Sequence, residues 1–295
     1  MNRNFTQIGF IGLGVMGEPI CRNLARKTGL PVKACDRDPR PLQRLATDGV
    51  QAQDSPAGAA AGSDVVFLSL PSGAVVREVA DGRNGLLATV REGQIIVDLG
   101  TSPVDITRAL AAEFKKRGVA FVDAPVARTR AAAEAGTLAV MVGAEKNIFD
   151  LIRPLIATFA SDITHCGPVG CGQVVKILNN MILFETVVAI AEAKAIGERA
   201  GVDPALLFDA LSKGSADSFA LRNHGMKAIL TGEFPERAFS VHYARKDLSY
   251  ALQLAHETGV DARGAQTVDD WYAEAISAGH GDRYHPVVSL LMEKK

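Results

Sequence analysis

The chain has 295 residues, a formal net charge of -1, 47% hydrophobic residues and four cysteines. That length suits two domains of ordinary size, each with a core of its own. The near-neutral charge gives no electrostatic reason to expect nucleic acid or an anionic membrane as partner. Cys21, Cys35, Cys166 and Cys171 have no histidine or second cysteine pair at metal-ligand spacing, so they read as reduced thiols of a cytoplasmic protein without a metal site. The apolar start Ile8–Ile11 is too short for a signal peptide or a membrane span, and glycine follows it at once.

From Gln7 to about Cys166, short apolar runs alternate with helix-favouring stretches, the pattern of a parallel sheet with crossover helices. Strands are predicted at Gln7–Ile11, Val32–Cys35, Val65–Leu70, Ile95–Leu99, Phe121–Asp123, Ala139–Val142 and Ile163–Cys166, with an alanine-rich helix over Ala57–Ala61. After Gly167-Pro168 the period changes: Gly172–Ala200 is one long apolar helix without proline, stopped by Gly201, and no convincing strand follows. The predicted class is therefore α/β. A Rossmann-type doubly wound domain (1–167) is joined through the long helix to an all-α domain (168–295).

Gly12-Leu13-Gly14-Val15-Met16-Gly17 lies between the first strand and a helix start. In that setting Gly12 permits the tight turn, Gly14 lets backbone N–H groups approach a pyrophosphate, and Gly17 lets helix and strand pack closely. The helix N-terminus adds unpaired donors and a partial positive charge. A bare G-x-G-x-x-G says little, but here the second strand ends at Asp36, at the spacing of a ribose-binding acid. An aspartate there accepts from the ribose hydroxyls and repels a 2′-phosphate, which favours NAD; Arg37 could pair with that phosphate, so NADP stays open. On the long helix, Lys176 and Asn180 are four apart and share a face with Gln173 and Asn179. A lysine in so apolar a helix needs a polar site. Near a nicotinamide it would protonate a developing alkoxide, or take the hydroxyl proton in the reverse direction.

Asp123-Ala124-Pro125-Val126 with Glu134–Leu138 and Met141–Gly143 resembles the substrate-loop signature of the β-hydroxyacid dehydrogenases. Gly172–Asn180 is similar to that family's catalytic helix, and Lys246-Asp247-Leu248 to its late lysine motif. The resemblance runs from the first strand to the end of the chain. It implies catalysis by Lys176, substrate contacts from Gln173, Asn179 and Asn180, cofactor contacts from Leu70, Thr101 and Lys246, and a homodimer or homotetramer. Ser218 and Phe219 are read either as closing over the substrate or as a helix cap and a core residue.

One departure stands out. Where most of the family has Ser-Gly-Gly after the valine, this chain has Ala127-Arg128-Thr129. A guanidinium matches an oxyanion through paired N–H bonds, and the pair is similar to what sulfolactaldehyde reductases carry for a sulfonate. The expectation is a small anionic substrate, with 3-sulfolactaldehyde and 2,3-dihydroxypropane-1-sulfonate first. A carboxylate such as 3-hydroxyisobutyrate or tartronate semialdehyde is the alternative, and a non-catalytic dinucleotide-binding scaffold is the rival of another class.

Overall fold

The computed structural model describes residues 5–236 and 238–293. The chain divides into two compact units, Met1–Lys176 and Ile177–Lys295, so the division falls within the long helix.

The first unit is a nine-stranded sheet. Its strands are β1 (Ile8–Ile11), β2 (Val32–Cys35), β3 (Gln51–Ala52), β4 (Val65–Leu68), β5 (Ile95–Asp98), β6 (Ala120–Asp123), β7 (Val126–Ala127), β8 (Leu138–Gly143) and β9 (Ala160–Gly167). The order β3-β2-β1-β4-β5-β6 is parallel throughout, and the strand order reverses at β1. The fully buried strands separate two cores by simple alternation. Ile8, Phe10, Val65, Phe67, Ile95, Val97 and Val122 face one core, while Ile11, Val66, Leu68, Ile96 and Phe121 face the other. Beyond β6 the sheet departs from the all-parallel expectation. β8 runs antiparallel to β6 and β7, and β9 then pairs parallel to β8. The reason lies in the connection: after Asp123 the chain turns at Pro125 and spends Val126–Ala127 as β7, which pairs with β8, so only the short helix Arg130–Ala135 is left between two strands that already pair antiparallel. A parallel return requires a crossover of a dozen or more residues, usually helical.

The second unit is helical, and its only pairings of extended backbone among the described residues are the isolated bridges Glu236–Arg283 and Ser240–Tyr284. Helix Cys171–Arg199 ends where Gly201 takes φ +89°, as its sequence requires. Asp203 caps Pro204–Leu211 by accepting Leu206 N–H at 2.9 Å, and Ser240 caps Val241–Thr258. Among the described residues Cys171–Arg199 is the one helix long and apolar enough to cross a membrane by length and composition. Phe184, Val187, Val188 and Ala191 on that helix nevertheless form the core of this unit, with Phe208, Leu248 and Tyr272. Leu221–Ile229 is wound as a π-helix, in which Gly225 lets Ile190, Leu221 and Phe208 approach. Ser218 caps it through Leu221 N–H at 3.0 Å, and Phe219 is exposed, its ring edge-on to His224.

Candidate active site

The turn after β1 has the geometry its glycines allow. Gly12 takes φ +92°, where a Cβ would fall 2.3 Å from the Ser69 carbonyl oxygen; at Gly17 one would fall 2.1 Å from the Gly12 oxygen. Gly14 is different. A Cβ there would meet nothing of the protein within 4 Å, and the neighbouring Val15 side chain is exposed, so this is the open side of the turn. Leu13 is buried and anchors it. Met16 gives helix Gly17–Thr28 no side-chain cap; the Glu18 N–H bonds to the Gly14 carbonyl at 3.2 Å, and the positive end of the helix dipole faces the turn, where an anion is favoured. The cradle fits a pyrophosphate.

Asp36 borders the same turn. Its Oδ2 accepts the Leu13 N–H at 2.5 Å and its Oδ1 accepts the Asp38 N–H at 2.7 Å. Arg37 is exposed, and its carboxylate partner, the also exposed Glu78, stands at 4.0 Å. Leu70 and Thr101 are half-buried just past β4 and β5. Gly12, Asp36, Leu70 and Thr101 thus line the carboxyl edge of four adjacent parallel strands, where such sheets take ligands.

Gln173, expected from its helical position to touch substrate, is fully buried and engaged by the fold. Its Nε2 donates to the Gly100 carbonyl at 2.8 Å, and its Oε1 accepts the Ser102 N–H at 3.1 Å. The amide therefore clasps the loop that presents Thr101. Ser102 in turn donates to Asp98 Oδ2 at 2.9 Å. The start of the helix is held from beneath by Asp123. This buried carboxylate accepts N–H bonds from Gly170 at 2.7 Å and Gln173 at 2.8 Å. Burial pushes its pKa up to about 6 in spite of those bonds. Gly143 and Gly172 make room for it: a Cβ on either would come within 2.8 Å of a carboxylate oxygen. In the sequence Asp123 figures only as the first residue of the substrate-loop signature, with no contact of its own. The available signal was an acid ending an apolar strand, with glycine where the partner elements pass it.

Three residues beyond Gln173 comes Lys176, half-buried, and one helical turn further Asn180. In the second unit Asn180 is buried. Its Nδ2 donates to Asp247 Oδ2 at 2.8 Å, and its Oδ1 accepts from the more exposed Asn179 at 3.1 Å. Lys246 places its ammonium 2.9 Å from Asp247 Oδ1 and over the rings of Tyr243 and Tyr250, 5.3 and 5.2 Å from their centroids. Asp247 was visible in the sequence only as the neighbour of a lysine; the structure makes it the anion that organises both Asn180 and Lys246.

The Ala127-Arg128-Thr129 segment departs most from expectation. Arg128 takes φ +86°, the only non-glycine residue with positive φ among those described, so the backbone keeps the conformation that a glycine adopts at least cost. Its guanidinium donates to the Thr137 carbonyl at 2.6 Å and Ser161 Oγ at 2.9 Å, and pairs with Asp162 at 2.8 Å. The cation expected to read a substrate oxyanion is thus neutralised by a carboxylate of β9. The Thr129 hydroxyl accepts the Ala132 N–H as a helix cap.

Residues 7–167 match the model of the NAD binding domain of 6-phosphogluconate dehydrogenase, and residues 170–290 match the NAD-binding domain of NADP-dependent 3-hydroxyisobutyrate dehydrogenase. The chain is 36% identical over 254 residues to the 2-(hydroxymethyl)glutarate dehydrogenase of Eubacterium barkeri, covering 86% of this chain and 84% of that protein. The chain belongs to the 3-hydroxyisobutyrate dehydrogenase-like β-hydroxyacid dehydrogenases. It is 32% identical to the mitochondrial 3-hydroxyisobutyrate dehydrogenase of Rattus norvegicus, over 98% of this chain and 88% of that one. A solved structure of the Mycobacterium tuberculosis 3-hydroxyisobutyrate dehydrogenase with L-serine superposes with a TM-score of 0.89 at 32% identity, covering 98% and 99% of the two chains. This member of the β-hydroxyacid dehydrogenases is accordingly an NAD(P)-dependent enzyme with a Rossmann-type N-terminal domain and a helical C-terminal domain.

Proposed function

We propose that this enzyme interconverts a small 3-hydroxy acid and its aldehyde, with NAD preferred over NADP, and that Lys176 is its acid–base group. The observation that carries the reading is one continuous helix. Its start is fastened to the cofactor-edge loop through Gln173, and Lys176 follows within the next turn. When bound, the dinucleotide supplies or accepts the hydride. In the reductive direction the Lys176 ammonium donates a hydrogen bond to the aldehyde oxygen and protonates the alkoxide as it forms; in the oxidative direction the neutral amine takes the hydroxyl proton. Asn180, its amide oriented by Asp247, holds the reacting oxygen in register. The preference for NAD rests on the Asp36 carboxylate, fixed beside the glycine turn where a 2′-phosphate would add like charge.

For the acid group, a carboxylate is the first reading, because the Arg128 guanidinium already has an anionic partner. The relatives named for 3-hydroxyisobutyrate and 2-(hydroxymethyl)glutarate support it. A sulfonate, as in 3-sulfolactaldehyde and 2,3-dihydroxypropane-1-sulfonate, is the second reading, favoured by one observation. An arginine occupies a left-handed backbone position that costs an L-residue about 1–2 kcal/mol, and exchange of Asp162 for a sulfonate would give that side chain a use. The test is to follow NADH and NADPH consumption with methylmalonate semialdehyde, tartronate semialdehyde and 3-sulfolactaldehyde side by side, and NAD reduction with the matching alcohols. Turnover of the carboxylates alone selects the first reading, and turnover of the sulfonate alone the second. NADH binding without turnover of any of them would leave a dinucleotide-binding scaffold.

The same reading includes self-association: Ile182, Ile196 and Leu206 are exposed apolar side chains at 59%, 69% and 62%, and light scattering of the purified chain measures it.

A further inference from the structure

The reaction needs Lys176 at a fixed place in a fixed charge state. We propose that Asp123 is a positioning residue of the reaction: its buried carboxylate, bound to the N-terminus of the helix that carries Lys176, sets where the ammonium stands and helps keep it charged. The inference rests on the acid–base role given to Lys176 above.

Three observations carry it. First, both carboxylate oxygens are used, Oδ1 by Gly170 N–H and Oδ2 by Gln173 N–H. Two charge-assisted bonds fix the helix start in rotation as well as in height. Second, the helical Cα–Cβ bond tilts toward the N-terminus, so the Lys176 side chain starts from the helix toward the turn of Gly172 and Gln173. That is the turn Asp123 caps. The positive end of the helix dipole at this turn disfavours a charged lysine, and the carboxylate offsets it. Third, a buried carboxylate is a costly way to cap a helix, since a neutral serine or threonine would satisfy one of the same donors. Two glycines are also committed to making space for it. The anion is retained where its charge, rather than its hydrogen bonding alone, has a use.

Few other charges surround it. The Cys166 thiol at the end of β9 has its pKa raised by burial and then by Asp123 itself. Cys171 is the first residue of the helix, Asp98 connects through Ser102 and Gln173, and Arg108 lies against Gly170.

The experiment compares the whole wild-type chain with Asp123→Asn, which keeps the size and removes the charge. Labelling of Lys176 with acetic anhydride across the alkaline range, read by mass spectrometry, gives its ionisation midpoint without any substrate. The expected midpoint in the variant is lower by about one pH unit. With a turned-over substrate, kcat falls about tenfold or more, while the dissociation constant for NADH stays within about twofold because the glycine turn is untouched. A merely structural role would leave the labelling midpoint where it was, so identical midpoints in two folded proteins overturn the proposal. If wild type turns over none of the substrates tested, the functional reading fails, and the labelling comparison still decides this one. Should the variant not fold, hydrogen exchange at the Gly170 and Gln173 amides of the wild type takes its place. Protection factors that fall as Asp123 protonates support the cap, and unprotected amides above that pH overturn it.

Discussion

Each unit of the molecule buries one aspartate against the helix that bears the reactive lysine, and the two do so by different means. Asp123 in the first unit binds backbone N–H groups and has no cation in contact; Asp247 in the second binds a side-chain amide and pairs with an ammonium. Backbone donors belong to the helix start itself and, proline apart, survive side-chain substitution, so Asp123 acts on the position of a whole helix start. Side-chain partners can be removed singly, so Asp247 acts on two particular groups, Asn180 and Lys246. Desolvation dominates at Asp123, whose pKa rises to about 6 although the backbone N–H bonds oppose it.

That contrast can be broken at the reacting group itself. Lys176→Met is expected to lower kcat about 10²–10⁴-fold, the span of general acid–base catalysis, with NADH affinity unchanged by fluorescence titration; a retained kcat would remove the common purpose of both aspartates. Asp247→Ala should come next. It leaves the buried Asn180 amide without its acceptor, lowering stability by about 2–3 kcal/mol, seen as an earlier denaturant midpoint. Asp247→Asn should lose less. Asp123→Asn should sharpen the difference through pH. The folded-state pKa of about 6 lies above the ordinary 3.8, so the folded protein binds the proton more tightly than the unfolded chain. Wild-type stability therefore declines as pH rises through that window, by roughly 3 kcal/mol from this group. The variant lacks that slope, and parallel stability curves for the two would refute the assignment. The smallest effect belongs to Arg128→Gly. Relief of the left-handed backbone is offset by loss of an exposed ion pair, leaving a gain of about 0.5–1 kcal/mol by thermal melting. A raised KM for a sulfonate alone would revive the second substrate reading.

The parts of the molecule written in local pattern were legible in the sequence. The glycine turn, Asp36 at the end of β2 and the long helix stopped by Gly201 each follow from neighbours a few residues away. What was hidden depends on residues far apart in the chain. Gln173 sits three residues from Lys176 on a helix, which suggests a shared ligand, yet the carbonyl of Gly100 and the N–H of Ser102 take its amide. Arg128 reads as a free cation until Asp162, on a strand that folds back beside it, meets the guanidinium. The antiparallel β8 was missed for the same reason, since an apolar run carries no mark of its direction.

The two glycines facing Asp123 tie three distant positions into one hereditary unit. A methyl group at Gly143 would sit 2.4 Å from the carboxylate, and one at Gly172 would sit 2.4 Å from the Met141 carbonyl and 2.8 Å from the carboxylate. Neither glycine can enlarge while the acid remains, and a longer acid cannot enter while they stay tightly packed. Among descendants of this chain, 123 and 143 are free to drift only together, whereas 172 is pinned a second time by the strand backbone. A lineage that replaced the aspartate would be recognisable by an alanine or serine appearing at 143 before any change at 172.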